Sequence, residues 1–569
     1  MQQQQQTTEN PLVIEKDYDL WLKHYVSYSC ITLANANFEA QIQDIFTLIF
    51  SLCYQTRYSL IFEVFFQDVN NSNINQITVD NLLRNLYNFA TPLFPENPHF
   101  ELLILTPQLT NAPTVLSRQQ LASNINVIFE HKAFTLSCSP FHQNIGSTIP
   151  VQSLTLINHH LKGEDYYTKL APETPSKQLK AYTRSVLGGT YDHFHAGHRL
   201  FLSFSALATS EYMLIGLTSD ELLVKKAHRS AIQSFETRRN SLAKFFDYFD
   251  PNLKLDIVEI NDPVGPARDG DFQVIIVTPE TIKGGDYVNK LRREGGYKEL
   301  EVVVGNLVSS TGEIHDKLSS THLREVIMEK VGGRPEILEG LYVEWTELVK
   351  SLGVEDRGFI GFWFDKLKEK YCESWRYYHT LRHVWELLKQ CNENMEVIKE
   401  KDVMKLTAWF HDVIYVPQRP DNEKESVVFF EKFWEDLERR FKGKHLLSVE
   451  KKEKVEKIIL FTINHTQMTK EVEEWFDAKF FLDIDLGILG ADSEAYKRYT
   501  ENIRKEYCFV SEEVFKEKRS QFMKKFLNKE LQIYKTDLFI KKLEAKALQN
   551  VQEEVELLDK KTEKFDNEL

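Results

Sequence analysis

The chain has 569 residues, of which 42% are hydrophobic and 27% charged, and its formal net charge is −14. This length predicts roughly three or four domains, and the negative charge argues against a general affinity for nucleic acid or anionic membranes. Its six scattered cysteines include no CxxC pair, which predicts reduced thiols in a cytoplasmic protein. The longest apolar stretch near the start, at 46–53, is too short to span a bilayer, so we expect a soluble protein without a nucleic-acid or membrane partner.

The N-terminal part of the sequence predicts a tail, a first domain and a linker. Residues 1–11, MQQQQQTTENP, are polar and of low complexity, and we expect a disordered Gln-rich tail there. Residues 12–170 combine strand-like runs, such as those at 58–66 and 101–106, with a helical run at 37–52. This mixture predicts an α/β domain of unknown role. Two prolines in APETPSKQ (171–178) predict a linker after it.

Strand and helix patterns alternate over residues 182–335. A helical run, HRLFLSFSALATS, follows the first of five apolar strand-like runs, which are RSVLGGTY, YMLIGL, LKLDIVEI, FQVIIVTPET and LEVVVGNLVS. Such alternation indicates βαβ units and a parallel, Rossmann-like α/β sheet. Ligands of these sheets bind at the carboxyl ends of the strands.

The stretch GGTYDHFHAGH (188–198) lies between the first of these strands and its helix. Glycines allow the backbone to approach a ligand closely, and His195 and His198 flank Gly197 with two imidazoles. A metal site would need a third protein ligand, and the surrounding sequence offers neither a cysteine nor an HExxH pattern. The stretch therefore favours a phosphate site at a helix N-terminus. The alternative is a glycine turn with structural histidines, and we assign His193 to local structure.

Two motifs carry a family resemblance. HAGH and the serine loop KLSSTHLRE (317–325) lie about 120 residues apart, and together they resemble the HxGH nucleotidyltransferase superfamily. Between them GLTSDELLVKK, SFETRRNSL, DPVGPA and VTPETIKGG resemble the eukaryotic type of phosphopantetheine adenylyltransferase. The resemblance covers roughly residues 182–330.

The resemblance implies adenylyl transfer from ATP, accompanied by Mg²⁺, to 4′-phosphopantetheine in coenzyme A biosynthesis. The substrate phosphate is the nucleophile, so catalysis would rest on positioning and charge neutralisation. His198 and Lys226 are the implied catalytic residues, with Lys225 as the alternative to Lys226. The implied nucleotide and phosphate contacts are Gly189, Thr190, His195, His198, Arg238, Ser319, Ser320, Thr321 and Arg324.

A kinase acting on dephospho-coenzyme A follows the transferase in some animal enzymes of this type. Such a kinase needs a phosphate loop of the form GxxxxGK[ST], and this sequence contains no such motif. We therefore expect the chain to stop at dephospho-coenzyme A.

Residues 340–560 have an almost wholly helical period and predict an all-α domain. YYHTLRHVWELL places His379 and His383 four residues apart, which predicts one shared helix face. His411-Asp412 ends an apolar helix, and Asp485 comes from another. Imidazoles and carboxylates from separate helices suit a divalent hydrolytic metal, although a core-histidine explanation covers any one of them.

The order H…HD…D resembles the HD superfamily of metal-dependent phosphohydrolases over about residues 340–555. It implies a divalent iron, manganese, magnesium or cobalt ion. The implied ligands are His383, His411, Asp412 and Asp485, with Asp483 competing with Asp485. His379 would be a proton donor, and His465 would complete the shell or contact substrate. One departure is Val416, which stands where an aspartate is expected in HDxxYDP.

Two alternatives stay open at this point. The transferase could use another phosphorylated acceptor, such as a phosphocholine-type or nicotinate-type substrate, or the chain could be a scaffold with two decayed sites. The intact HAGH, SSTHLR and HD motifs favour enzymes that act on small molecules. The substrate of the helical domain and the oligomeric state do not follow from the sequence.

Overall fold

The computed structural model describes residues 180–305, 319–465, 467–527 and 532–560, five strands between residues 24 and 153, and Leu83 and Tyr87. The predicted tail (1–11), helix (37–52) and linker (171–178) lie outside the described residues. The chain divides into two compact units, residues 1–222 with 239–320 and residues 223–238 with 321–569. The predicted three-domain boundaries stay a prediction.

The N-terminal strands of the first unit form a parallel five-stranded sheet in the order β3-β2-β1-β4-β5. The strands are β1 (His24–Leu33), β2 (Thr56–Phe66), β3 (Glu101–Leu105), β4 (Val127–Glu130) and β5 (Val151–Ser153). The predicted runs at 58–66 and 101–106 fall on β2 and β3. Tyr87 packs beside this sheet, where its hydroxyl accepts a hydrogen bond from the backbone N–H of Ile104 at 3.2 Å.

A second five-stranded sheet of the first unit is also parallel, as predicted, with the order β10-β9-β6-β7-β8. Its strands are β6 (Tyr182–Gly189), β7 (Thr209–Thr218), β8 (Lys254–Ile260), β9 (Val274–Val277) and β10 (Glu301–Val304). The chain also forms helices α1 (Ala196–Ala208), α2 (Phe235–Phe249) and α3 (Ile282–Glu294). Since β7 and β9 flank β6 on opposite sides, the carboxyl end of β6 is the switch point where ligands bind such sheets.

The second unit is largely helical, as predicted, and the described residues after 335 contain no strand. Its core is aromatic: the Trp345 ring lies 5.5 Å from that of Trp409 and 5.6 Å from that of Phe433. The helices are α4 (Ser320–Lys330), α5 (Pro335–Ser351), α6 (Arg357–Tyr371), α7 (Leu381–Glu393), α8 (Lys401–Phe410), α9 (Asn422–Phe441), α10 (Val449–Phe461), α11 (Lys470–Glu474), α12 (Phe476–Asp485), α13 (Ser493–Glu506), α14 (Glu512–Lys524) and α15 (Asp537–Lys560).

Two boundaries of this division bear on the sites. Residues 223–238, which carry Lys225, Lys226 and Arg238, belong to the helical unit although they lie between β7 and β8 in sequence. Ser320 belongs to the first unit, whereas Thr321 and Arg324 belong to the second. No helix among the described residues has the length and apolarity needed to cross a membrane.

Candidate active sites

The loop after β6 places two imidazoles against each other at the start of α1. The rings of His195 and His198 stack with centroids 3.8 Å apart, and the backbone N–H of His195 points to His198 Nδ1 at 3.4 Å. A Cβ on Gly197 would lie 3.1 Å from Cε1 of His195, and one on Gly189 would lie 2.9 Å from the Tyr191 ring. Both glycines therefore leave room for the rings that shape the loop.

The protonation of His195 follows from its surroundings. Burial, together with the positive charge of Arg199, lowers the pKa of His195 to about 3. The ring is therefore neutral at physiological pH, and a neutral imidazole has one nitrogen that can donate a hydrogen bond and one that can accept. His193 is also buried, with Nε2 3.7 Å from Asp192 Oδ1.

Ser320 joins the serine loop to this histidine loop within the first unit. Its hydroxyl donates to the backbone carbonyl of Asp192 at 2.8 Å and lies 3.4 Å from His195 Nε2. Thr190 lies on the other side of the loop, where its Oγ1 is 3.3 Å from Oγ1 of Thr218. The structure thus brings Ser320 of the serine loop beside the histidine loop at the carboxyl end of β6. Ser319 is exposed beside Ser320.

The other predicted phosphate contacts belong to the second unit. Lys225 and Lys226 are both exposed, so exposure does not distinguish between them. Arg324 is buried and links two of these stretches, because its Nε donates to the carbonyl of Ala227 at 3.1 Å and its Nη2 donates to Thr321 Oγ1 at 3.0 Å. Arg238 is fully buried, and its Nε donates to the carbonyl of Gln233 at 3.0 Å.

The helical unit brings together the four side chains that the sequence singled out as metal ligands. His383 Nε2 lies 3.2 Å from His411 Nε2 and 3.1 Å from Asp485 Oδ1. Asp412 Oδ2 lies 3.1 Å from His411 Nε2. Ligand atoms of His383, His411 and Asp485 all lie within 4.8 Å of one another. We call these four residues the His/Asp cluster.

The electrostatics of the His/Asp cluster favour a positive charge at its centre. Burial alone would lower the pKa of His411, but Asp412 and Asp485 outweigh burial and raise this pKa to about 10. Burial likewise raises the pKa of Asp412 and Asp485, but His411 outweighs it and holds both well below the usual range. Imidazole nitrogens and carboxylate oxygens are suitable ligands for divalent iron, manganese or magnesium. The donor set therefore fits a divalent cation.

The position of His379 corrects the prediction that it shares a helix face with His383. Helix α7 begins only at Leu381, because Thr380 caps it and its hydroxyl accepts from the backbone N–H of Arg382 at 3.3 Å. His379 lies in the preceding loop, with Nε2 3.9 Å from Asp412 Oδ2. It still reaches the His/Asp cluster, but from a loop.

Glu506 orients His379, and sequence reasoning missed it. Its Oε2 lies 2.7 Å from His379 Nδ1 and accepts a hydrogen bond from the Tyr415 hydroxyl at 3.0 Å. Its other oxygen accepts from the backbone N–H groups of Tyr377, Tyr378 and His379. Glu506 is one of many glutamates in a Lys/Glu-rich stretch, so no sequence signal distinguished it.

Asp483 and Asp485, the two alternatives for the last metal ligand, have different surroundings in the structure. Asp485 Oδ1 faces His383, and its Oδ2 lies 2.7 Å from His465 Nε2. Asp483 is buried elsewhere, where it accepts hydrogen bonds from the backbone N–H groups of Lys535 and Thr536 and from the Thr536 hydroxyl. Burial raises the pKa of Asp483 to about 6. Asp485 is therefore the residue that the structure brings to the cluster.

The DNEKES stretch (421–426) supports the loop that follows Asp412. The backbone N–H of Val416 donates to Asn422 Oδ1, and Asn422 Nδ2 donates back to the Val416 carbonyl, both at 2.9 Å. Ser426 Oγ accepts from the backbone N–H of Ile414 at 3.1 Å. Val416, which replaces the expected aspartate, is thus held through its backbone.

The parallel sheet of β6 to β10 and the histidine loop lie in the part of the chain that matches a known family. Residues 186–326 match the cytidylyltransferase-like family. A phosphopantetheine adenylyltransferase of Thermococcus gammatolerans is 38% identical over 154 residues, which cover 27% of this chain and 94% of that protein. Through this part of its length, the chain belongs to the phosphopantetheine adenylyltransferase family.

Two further relatives differ in how much of them is matched. The phosphopantetheine adenylyltransferase of Saccharomyces cerevisiae is 34% identical over 154 residues, and the chain spans only 50% of that protein. The crystal structure of a protein of unknown function from Archaeoglobus fulgidus is 25% identical, with a TM-score of 0.20, over 23% of this chain and 94% of that one.

Proposed function

We propose that this chain transfers the adenylyl group of ATP to 4′-phosphopantetheine. A phosphate oxygen of the acceptor bonds to the α-phosphorus of ATP while the bond to the pyrophosphate oxygen breaks, which gives dephospho-coenzyme A and pyrophosphate. The observation that carries the proposal is the approach of Ser320 to His195 at the carboxyl end of β6, 3.4 Å apart. Phosphates bind at such helix N-termini, and family membership supplies the acceptor.

The roles follow from the chemistry of the residues. His198 and Lys226 stabilise the negative charge that grows on the reacting phosphates, while the neutral His195 hydrogen-bonds the nucleotide. The phosphate contacts proposed in the first unit are Gly189, Thr190, Ser319 and Ser320, and those proposed in the second unit are Arg238, Thr321 and Arg324. Mg²⁺ bound with ATP neutralises phosphate charge.

The acceptor is the point to test. The purified full chain is incubated with ATP, MgCl₂ and 4′-phosphopantetheine, and the products are identified by mass. Phosphocholine and nicotinate mononucleotide, each with ATP or CTP, replace the acceptor in parallel reactions. The proposal is supported if 4′-phosphopantetheine is the only acceptor that gives an adenylylated product. Turnover of another acceptor and not of 4′-phosphopantetheine points to a different transferase.

We also propose that the helical unit is a metal-dependent phosphohydrolase. His383, His411, Asp412 and Asp485 would hold the divalent cation, whose chemical contribution is to lower the pKa of a bound water. In hydrolysis, a water oxygen bonds to phosphorus while the bond from phosphorus to the ester oxygen breaks. His379, oriented by Glu506 at 2.7 Å, holds at Nε2 the proton that the leaving oxygen takes.

The hydrolase is tested on the full chain. Metal content is measured for the wild type and for the His411→Ala, Asp412→Ala double variant, and phosphate release is followed with a panel of phosphorylated metabolites and added manganese. Metal loss and rate loss in the double variant support the proposal. Equal metal content in the two proteins makes the cluster structural.

A further inference from the structure

A cavity of about 440 Å³ lies beside the His/Asp cluster, within the helical unit. His383 lines it, and it is the only member of the cluster among the cavity's described lining residues. Pockets of this size hold organic ligands rather than a single inorganic anion. The cavity therefore reaches the candidate metal centre at His383 and extends beyond it.

The direction of the cavity follows helix α7. His383, Glu386, Leu387 and Gln390 all line it, and their spacing of three, four and seven residues places them on one helix face. A rise of 1.5 Å per residue makes this row about 10 Å long. The cavity thus has room for a body that extends well beyond a phosphate held at His383.

The walls of the cavity are mainly apolar. Leu387, Ile484, Ile488 and Leu543 line it, and the first two are almost completely buried. Burial of apolar ligand surface against such walls stabilises binding. The body of the ligand is therefore expected to be a ring or an alkyl chain rather than a sugar-like polyol.

The charged lining residues are mainly cations. Arg382, Arg498 and Lys542 line the cavity, against one carboxylate, Glu386. Within the part of the chain that the structure describes, the Lys542 ammonium group forms no ion pair or hydrogen bond. Arg498 pairs with Glu494 at 2.5 Å, but the Glu494 side chain is 83% exposed, so the pair costs little to break. Both cations can therefore receive an anion on the ligand.

We propose that this cavity binds the organic part of a phosphate ester, an apolar body that ends in a second anionic group held by Lys542 and Arg498. The inference rests on the proposed hydrolase function, which places the ester phosphate at the His/Asp cluster. It names the substrate class as esters with two anionic groups separated by an apolar spacer. Simple monophosphates and inorganic pyrophosphate are then poor substrates.

The test compares two esters with the same body. Biphenyl-4-yl phosphate carries one anionic group, and 4′-carboxybiphenyl-4-yl phosphate adds a second at the far end. Hydrolysis by the full chain with manganese is expected to show a kcat/KM about tenfold higher for the carboxylated ester, the effect of one or two well-placed charge pairs. Lys542→Ala and Arg498→Ala are expected to lose this preference. Lys541→Ala and Lys497→Ala are the controls, because these neighbours are exposed and do not line the cavity.

Equilibrium binding of both esters, measured by calorimetry with a chelator present, separates this inference from the hydrolase proposal. Suppose that the carboxylated ester binds more tightly, that Lys542→Ala abolishes this difference, and that neither ester is hydrolysed in the manganese assay. This result would support the binding site and contradict the hydrolase proposal. Equal dissociation constants for the two esters would overturn the inference even if both are hydrolysed. An equal effect of Lys541→Ala and Lys542→Ala would overturn it too.

Discussion

The carboxylate of Asp365, on α6, accepts a hydrogen bond from the backbone N–H of Ser234 at 2.8 Å, just before α2 begins. It also accepts from the Thr237 hydroxyl at 2.7 Å, and its other oxygen lies 2.7 Å from the buried Lys368 ammonium. Asp365 thus caps a helix from a distant part of the sequence. The helical unit thereby holds residues 223–238, which carry the proposed phosphate contacts Lys226 and Arg238.

Asp365→Ala is expected to loosen this segment, because it leaves the buried Lys368 without its partner carboxylate. Breaking a buried pair in this way costs about 3–5 kcal/mol. Hydrogen exchange of the 234–238 amides should become faster, and the denaturation midpoint of the helical unit should fall. Lys366→Ala on the same helix is the control, because Lys366 makes a half-exposed pair with Glu369. Similar exchange in the two variants would contradict the capping role.

His198→Ala tests transition-state stabilisation in the transferase. If His198 interacts with charge that grows on the α-phosphate, kcat should fall by about 10²–10³. The Michaelis constant for ATP should change much less. Steady-state kinetics of pyrophosphate release measures both. A variant that only raises the Michaelis constant would mean that His198 binds ground state and transition state alike.

Gly197→Ala tests the packing of the histidine loop. The new Cβ would lie 3.1 Å from Cε1 and 3.2 Å from Nδ1 of His195, so the imidazole must shift. A misplacement of about 1 Å at a reaction centre can cost about 10²-fold in rate. The shift required here is a few tenths of an ångström, so we expect a smaller but measurable loss of adenylyl transfer with the protein still folded. Gly284→Ala, on α3, is the control because its Cβ would meet nothing within 4 Å. Equal rates in the two variants would show that His195 does not depend on Gly197.

Asp485→Asn and Asp483→Asn should separate metal binding from stability. The Asp485 carboxylate faces His383 in the cluster, so its replacement by an amide is expected to lower the metal content of the full chain. The Asp483 carboxylate accepts hydrogen bonds from Lys535 and Thr536, away from the cluster. Its replacement by an amide should therefore leave the metal content unchanged and lower the melting temperature. Elemental analysis and thermal unfolding report the two effects. Metal loss in Asp483→Asn alone would reverse the assignment.

Glu506→Gln should slow hydrolysis without removing metal. The amide is a weaker partner for His379 Nδ1, and losing an oriented partner around a metal site typically costs about 10–100-fold in activity. Phosphate release from the best ester and metal content are measured together. Glu501→Gln, an exposed residue on the same helix, is the control. Loss of metal in Glu506→Gln would mean that Glu506 supports the ligands instead.

The sequence predicted the elements that local patterns specify. The parallel sheet of β6 to β10, the position of the HAGH stretch after β6 and the helical C-terminal part all followed from apolar periodicity. The prediction that His379 and His383 share a helix face was wrong, because Thr380 caps α7 and the helix begins only at Leu381, after His379. The spacing of two histidines does not show where a capping side chain starts the helix.

Contacts between distant parts of the chain lay beyond sequence reasoning. Glu506 contacts His379, which is 127 residues away in the sequence, and Asp365 accepts a hydrogen bond from Ser234, which is 131 residues away. Neither carboxylate belongs to a motif, and each is fixed by the packing of helices around it. The choice between Asp483 and Asp485 likewise required their separate surroundings, since both lie on α12.

The most direct test of this account is the product that the purified full chain forms from ATP, MgCl₂ and 4′-phosphopantetheine. Mass spectrometry is expected to find dephospho-coenzyme A with an equal amount of pyrophosphate, and no 3′-phosphorylated coenzyme A, because the sequence contains no GxxxxGK[ST] phosphate loop. His198→Ala in parallel should give both products far more slowly. Absence of pyrophosphate and dephospho-coenzyme A from the wild-type reaction would contradict the account.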